Sequence, residues 1–267
     1  MISLCLKMPH QSSFFVRTDM ASVADSLRQK YGIFAVTGET DADYAIDVAQ
    51  TDADGFCVVT AGGESVRTHN PLRVIDDFIF DHTKYAENIF ALHGAAVEHA
   101  GRVWVFLASS MTGKTTLTAY LTAQGFGYLT DDCILLHRDT CRVTPCPTPL
   151  HIRDGGLEVL KRYESVPEGL QTLSEGEYTR YVVTPGNRVR EDLPLGGIFF
   201  ISRTMDTNAL SDMPANERIM ELMKAPITHY KPSADYLRFL SRLAIQGNCR
   251  RLVYHDMAYV AEVLRRG

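Results

Sequence analysis

No stretch of this sequence approaches the roughly 20 consecutive apolar residues that a membrane-spanning helix needs. Its opening, MISLCLKMPH, is broken by Lys7 and Pro9 before a leader-like apolar segment can build. Six cysteines are present, at positions 5, 57, 133, 141, 146 and 249, yet none form a C-x-x-C pair. Several sit in apolar runs, where a free thiol behaves as a small hydrophobe, and that argues for a reducing cytoplasm. A basic excess is also lacking. Lys and Arg number 27 against 32 Asp and Glu, the net charge is -5 and the calculated pI is about 6.0. A general nucleic-acid-binding surface is therefore not expected, although a local basic groove stays open. No internal repeat or low-complexity tract is visible. What remains is 45% apolar and 22% charged over 267 residues, an ordinary globular composition with room for one large domain or a small one followed by a medium one.

The first part of the chain reads as small alternating elements. Val23, Leu27 and Tyr31 lie at helical spacing with Gly32 as a stop. Residues 43–63 read as two strands joined through Asp52-Ala53-Asp54-Gly55, a turn signal. That Asp cluster lacks the later Glu of a calcium loop and reads as a solvated turn. Leu72, Ile75, Ile79 and Phe80 predict a helix with Asn70 as cap and Pro71 at its first position.

From residue 91 the texture changes. ALHGAAVEHAGRVWVFLAS reads as strand, turn, strand, with the turn at His99–Arg102. KTTLTAYLTAQG predicts a helix ending at Gly125. FGYLT, CILLHR and CRVTP follow as strands, with Asp131-Asp132 between the first two. The polar segment 164–194 shows little periodicity and reads as a long loop, of the kind that is often functional. Its arginines 180, 188 and 190 are candidates for pairing with acidic or phosphate groups, or are simply solvated. LGGIFFISR predicts a buried strand, then SADYLRFLSRLAIQ a helix, CRRLVYH a strand and DMAYVAEVLRR a closing helix.

The chemistry concentrates in three places. The first is ASSMTGKT, Ala108 to Thr115, which follows an apolar strand and opens a helix. It matches the phosphate-binding pattern of Gly, four free positions, then Gly-Lys-Ser/Thr, except that Ala108 stands at the first Gly. Backbone N–H groups of such a loop face an anion, and Lys114 adds a mobile charge. Ala108 is tolerable there if its φ is negative. The candidate nucleotide contacts are Ser109, Ser110, Met111, Thr112, Gly113, Lys114, Thr115 and Thr116. The second place is Asp131-Asp132, at the end of the strand after the loop helix, where a strand parallel to the first would end on the phosphate edge. One acid can hold Mg²⁺ while the other accepts a hydroxyl proton; the alternative is a solvated turn. The third is His93. If Glu98 faces Val103 across the hairpin, the register sets His93 opposite Ala108, though a lone histidine there is as readily a satisfied core residue.

Together LHGAAVE, SSMTGKTT and GFGYLTDD resemble the carboxy-terminal catalytic domain of HPr kinase/phosphorylase and HPr-kinase-like proteins. PTPLHIRDGGLEVL also looks like the strand and helix that follow in relatives. The resemblance covers roughly residues 88–260. It implies an α/β P-loop kinase core with a mixed sheet, similar to the phosphoenolpyruvate carboxykinase nucleotide domain, as residues 88–267. Residues 1–87 would then be a small α+β accessory region. It further implies that Gly113, Lys114 and Thr115 hold the β-phosphate and its Mg²⁺. Asp131 would be the base, Asp132 would assist the metal, and His93 would sit by the transferred group. The family usually has Gly at 108 and 111, and its downstream segment tied to phosphorolysis is not recognisable here. HPr as substrate and the reverse reaction are therefore left open. Relatives phosphorylate other targets, including lasso peptide precursors, and the HPr enzymes are hexamers, which makes a homo-oligomer an open expectation.

The leading expectation is a cytoplasmic ATP- and Mg²⁺-dependent kinase acting on a Ser or Thr hydroxyl of a peptide or small protein. A small metabolite is the alternative acceptor: a peptide predicts an open groove, a metabolite a closed pocket. The third reading is a nucleotide-binding regulatory module without transfer activity. Neither a nucleic acid nor a membrane is an expected partner.

Overall fold

The structure is a computed structural model that describes residues 1–9, 12–37, 41–51, 55–84, 88–109, 111–175, 178–227 and 233–267. Two compact units meet in sequence at Glu87/Asn88. The chain is mixed α/β, with seven α-helices among the described residues.

The first unit is one six-stranded sheet with two helices. Strands β1 (Ile2–Lys7), β2 (Ser13–Thr18), β3 (Ala35–Val36), β4 (Tyr44–Gln50), β5 (Cys57–Ala61) and β6 (Glu64–Thr68) are ordered β3-β1-β2-β4-β5-β6. The β2–β4 pair is parallel and the others antiparallel. Helices α1 (Ala21–Tyr31) and α2 (Pro71–Lys84) bury Val23, Leu27, Ile75 and Ile79 against Leu6, Phe14, Ile46 and Val59 of the strands. Asn70 Oδ1 accepts the Arg73 N–H at 3.2 Å, so Asn70 caps α2 and Pro71 opens it. Gly32 does not end α1 in a left-handed conformation; its φ is -56° and the chain continues into a 3-10 turn. The turn expected at 52–55 falls in sequence between β4 and β5, and Asp52–Asp54 lie outside the described residues.

The second unit is built on β7 (Ile89–His93), β8 (Ala95–His99), β9 (Arg102–Leu107), α3 (Lys114–Ala123), β10 (Gly127–Thr130), β11 (Cys133–His137) and β12 (Arg142–Thr144). Next come β13 (Leu150–Arg153), α4 (Asp154–Arg162), β14 (Gln171–Glu175), β15 (Tyr178–Val183) and β16 (Leu193–Arg203). The chain closes with β17 (Ala209–Asp212), α5 (Ala215–Lys224), α6 (Ala234–Gln246), β18 (Cys249–Tyr254) and α7 (Met257–Arg266). The main sheet runs β10-β8-β9-β16-β12-β11-β7, and β18 adds to the far end of β16. β9, β16 and β18 are mutually parallel. β10 points the same way, because antiparallel β8 lies between it and β9.

Burial on both faces explains why the central strands read as continuous apolar runs. Along β9, Trp104 and Phe106 enter one core with Leu117, Leu121 and Val260. Val103, Val105 and Leu107 enter another with Leu222, Leu240 and Leu243. The outer edge of β10 is covered by residues 187–189: Tyr128 N–H donates to Asn187 O and Val189 N–H to Tyr128 O, each at 2.9 Å.

Two expectations are corrected here. Segment 164–194 is not a long loop. It contains β14 and β15, which form a three-stranded sheet with β13. The second correction is that ALHGAAVE is two strands. The β8–β9 register does pair Glu98 with Val103, but the ladder stops at Ala95. At Gly94 the chain crosses to β7, where His93 opposes Cys133 of β11 instead of Ala108. A Cβ on Gly94 would lie 2.6 Å from Phe106 O and 2.7 Å from both Ile134 Cδ1 and Leu107 Cδ2. Only glycine fits that crossing.

Candidate active site

The loop between β9 and α3 leaves the carboxyl edge of the sheet and turns into the helix at Gly113, whose φ of 95° is left-handed. Ala108 is not among the residues with positive φ, so its Cβ is tolerated. Among the loop's described residues the non-glycine one held left-handed is Met111, with φ of 65° and a side chain that is largely exposed. Thr112 Oγ1 donates to Ser109 O at 2.8 Å and lies 3.1 Å from Ser109 Oγ, which ties the loop across its base. Ser110 lies outside the described residues.

Lys114 begins α3 and is buried. Its Nζ donates to Ala108 O at 3.0 Å and Ser109 O at 3.2 Å, so the ammonium lies inside the curve of its own loop. Burial lowers its pKa, and Asp131 and Asp132 partly offset that.

The acid pair is held from several sides. A register shift between Tyr128 and Thr130 bulges β10 at Leu129, immediately before Asp131. Thr130 Oγ1 accepts the Cys133 N–H at 3.3 Å, closing the turn over both acids. Beneath them Tyr128 is fully buried and its hydroxyl donates to Thr148 O at 2.6 Å. Asp131 is 5% exposed, whereas Asp132 is exposed. Burial, and next the charge of Asp132, push the Asp131 carboxyl from its ordinary 3.8 up to about 7; the Thr115 hydroxyl bonded to it and Lys114 hold it down in part. Its Oδ1 is buried with no hydrogen-bond partner among the described residues. A buried acceptor without a donor is costly and calls for a ligand, proton or ion.

His93 is brought to the acids by the β7–β11 ladder. Its N–H donates to Ala225 O at 2.6 Å, and the next residue, Gly94, donates to Asp132 O at 3.3 Å. The side chain lines an open cleft of about 560 Å³ together with Gly113, Lys114, Thr115, Asp131 and Asp132. Met111 and Thr116 line the same cleft. Ser109 lines instead a neighbouring cleft of about 470 Å³, over a floor that includes Leu107, Phe200 and Ala225, and His93 borders both.

Sequence reasoning missed one wall of the larger cleft: His151, Arg153, Gly155, Gly156 and Arg203. Arg153 and Arg203 are exposed and have no ion-pair partner among the described residues. The arginines singled out in the sequence, 180, 188 and 190, are not among its lining residues. Arg180 is in β15 directly opposite Arg153, and Arg188 bridges to Tyr128 on the sheet edge. The IRDGG run was the available signal, since a basic residue before glycines at a helix start suits an anion.

Among the described residues no cluster of three His, Cys, Asp or Glu could hold a metal by itself. Thr115 and the acid pair fit Mg²⁺ only in the way typical of that ion, with one or two carboxylates completed by substrate phosphates and water. All six cysteines are free, and no described helix is long and apolar enough to cross a membrane. No protein-family model and no curated protein matches this chain.

Proposed function

We propose that this protein is an ATP-dependent kinase of HPr-kinase-like architecture that transfers a phosphoryl group to a hydroxyl, with Ser or Thr of a peptide or small protein as the favoured acceptor. The observation that carries the reading is Asp131: a carboxyl 5% exposed, with an Oδ1 that has no partner among the described residues, bonded to the loop threonine, beside the loop lysine and pushed by burial up to about 7. A general base works best when its pKa is close to the working pH, and perturbed acids in a cleft are enriched at functional sites.

In this reading the N–H groups of the loop and of α3 bind the phosphates, and Lys114 turns from its loop carbonyls to the β- and γ-phosphates. Thr115 and Asp132 would hold Mg²⁺, which when bound neutralises charge on the transferring group. The acceptor oxygen attacks the γ-phosphorus, its proton passes to Asp131, the bond from γ-phosphorus to the bridging oxygen breaks and ADP leaves. His93 sits between the two clefts and orients the acceptor against the γ-phosphate. The smaller cleft, partly open and apolar at its base, suits an acceptor side chain. Its size also fits a small metabolite, which is the second reading.

The test is transfer from Mg-ATP to a Ser/Thr peptide library by wild-type protein and Asp131→Asn. Labelling that falls at least a hundredfold in the variant supports the kinase. Tight ATP binding without peptide labelling moves the metabolite acceptor ahead, and no ATP binding refutes both.

A further inference from the structure

The phosphate cleft has a wall that the loop motif does not explain. Arg153 is the N-cap residue of α4 and makes no side-chain cap. Asp154, the one acid of the first turn, is instead the hydrogen-bond partner of the Tyr181 hydroxyl. The first N–H groups of α4 thus face the cleft uncapped by any carboxylate, next to an exposed guanidinium without an ion-pair partner among the described residues. A Cβ on Gly156 would lie 2.6 Å from Thr116 Oγ1. The start of α4 therefore abuts the first turn of α3. The unpartnered Oδ1 of Asp131, a residue 5% exposed, lines the same cleft and calls for a bound donor or cation there, which the acceptor hydroxyl or the metal accompanying a nucleotide would supply.

We propose that Arg153 and the amino end of α4 hold the α-phosphate of the bound nucleotide, so that the phosphate chain runs from Lys114, Asp131 and His93 to Thr116 and Gly156. This rests on the nucleotide reading above. The loop and Lys114 account for the β- and γ-phosphates. The next phosphate inward along α3 falls at Thr116, the residue that Gly156 touches. An α-phosphate offers two non-bridging oxygens that match a guanidinium fork. The nucleoside then passes over α4, and the cleft beyond His93 is left to the acceptor.

The test is calorimetric titration of Mg-ADP and of Mg-pyrophosphate, which lacks an α-phosphoryl nucleoside end, into wild type, Arg153→Ala and Lys114→Ala. Arg153 is exposed, so its truncation leaves the fold intact, as circular dichroism would verify. Arg153→Ala is expected to weaken ADP roughly tenfold or more and pyrophosphate less than twofold. Lys114→Ala is expected to weaken both. Equal losses for the two ligands in Arg153→Ala, or no loss for ADP while Lys114→Ala still weakens it, overturn the assignment. If neither ligand binds wild type, the nucleotide reading fails and this inference falls with it.

Discussion

Gly94 donates its N–H to the carbonyl of Asp132 at 3.3 Å, and this one bond ties the strand that carries His93 to the turn that carries both acids. The bond exists because the chain can pass where no Cβ fits, 2.6 Å from Phe106 O and 2.7 Å from two buried methyl groups. Gly94→Ala is therefore expected to cost about 2–3 kcal/mol, as overpacking against backbone does. Urea denaturation measures it, and a cost within about 0.5 kcal/mol would show that the crossing is looser than described.

Asp131 sets the pH behaviour. Its proton is bound more tightly in the folded chain than in the unfolded one, so its contribution to stability is fully present below about 3.8 and is lost as pH rises through about 7. Asp131→Asn should leave stability near pH 4 almost unchanged and raise it by about 2–4 kcal/mol at pH 8. Thermal melts across that range would reveal it; a variant equally stabilised or destabilised at both pH values contradicts the shift.

Met111 supplies the third prediction. Its φ of 65° is a conformation that glycine adopts freely and a β-branched residue resists. Met111→Gly should be neutral or stabilising by up to about 1 kcal/mol, and Met111→Val destabilising by about 1 kcal/mol or more. The reverse order in denaturant midpoints would show that the loop relaxes to another conformation.

The contact between α3 and α4 can be tested as a pair. Gly156→Ala places a methyl against Thr116 Oγ1 and should weaken Mg-ADP binding severalfold by pushing α4 outward. Thr116→Ser in the same chain keeps the offending oxygen but frees it to rotate, and should recover part of the loss. Additive losses in this double-mutant cycle would mean the two residues do not touch.

Local signals carried much of this far. The cap at Asn70, the strand–loop–helix around Lys114 and the Glu98–Val103 register are all short-range, and the structure has them where the residues suggest. The failures are non-local. His93 could be placed by extending a hairpin, but its strand leaves that hairpin at Gly94 for β11, a partner invisible to periodicity. β14 and β15 were hidden because they pair with each other and β15 also with β13, so the alternation in YTRYVV had no obvious partner. The same placement of β13 and β16 brings Arg153 and Arg203 to the larger cleft; the IRDGG run marks the first, and nothing near Arg203 announces it.

The measurement that bears most directly on the account is the pH dependence of phosphoryl transfer from Mg-ATP, compared between wild type and Asp131→Asn at saturating nucleotide. Because the base must be ionised, wild-type rate should rise about tenfold per unit at low pH and level off once the Asp131 carboxyl, raised by burial in the free protein, is ionised in the nucleotide complex. In Asp131→Asn that limb should vanish and the rate fall about a hundredfold or more. A variant that keeps both rate and limb would contradict the assignment of Asp131 as the base.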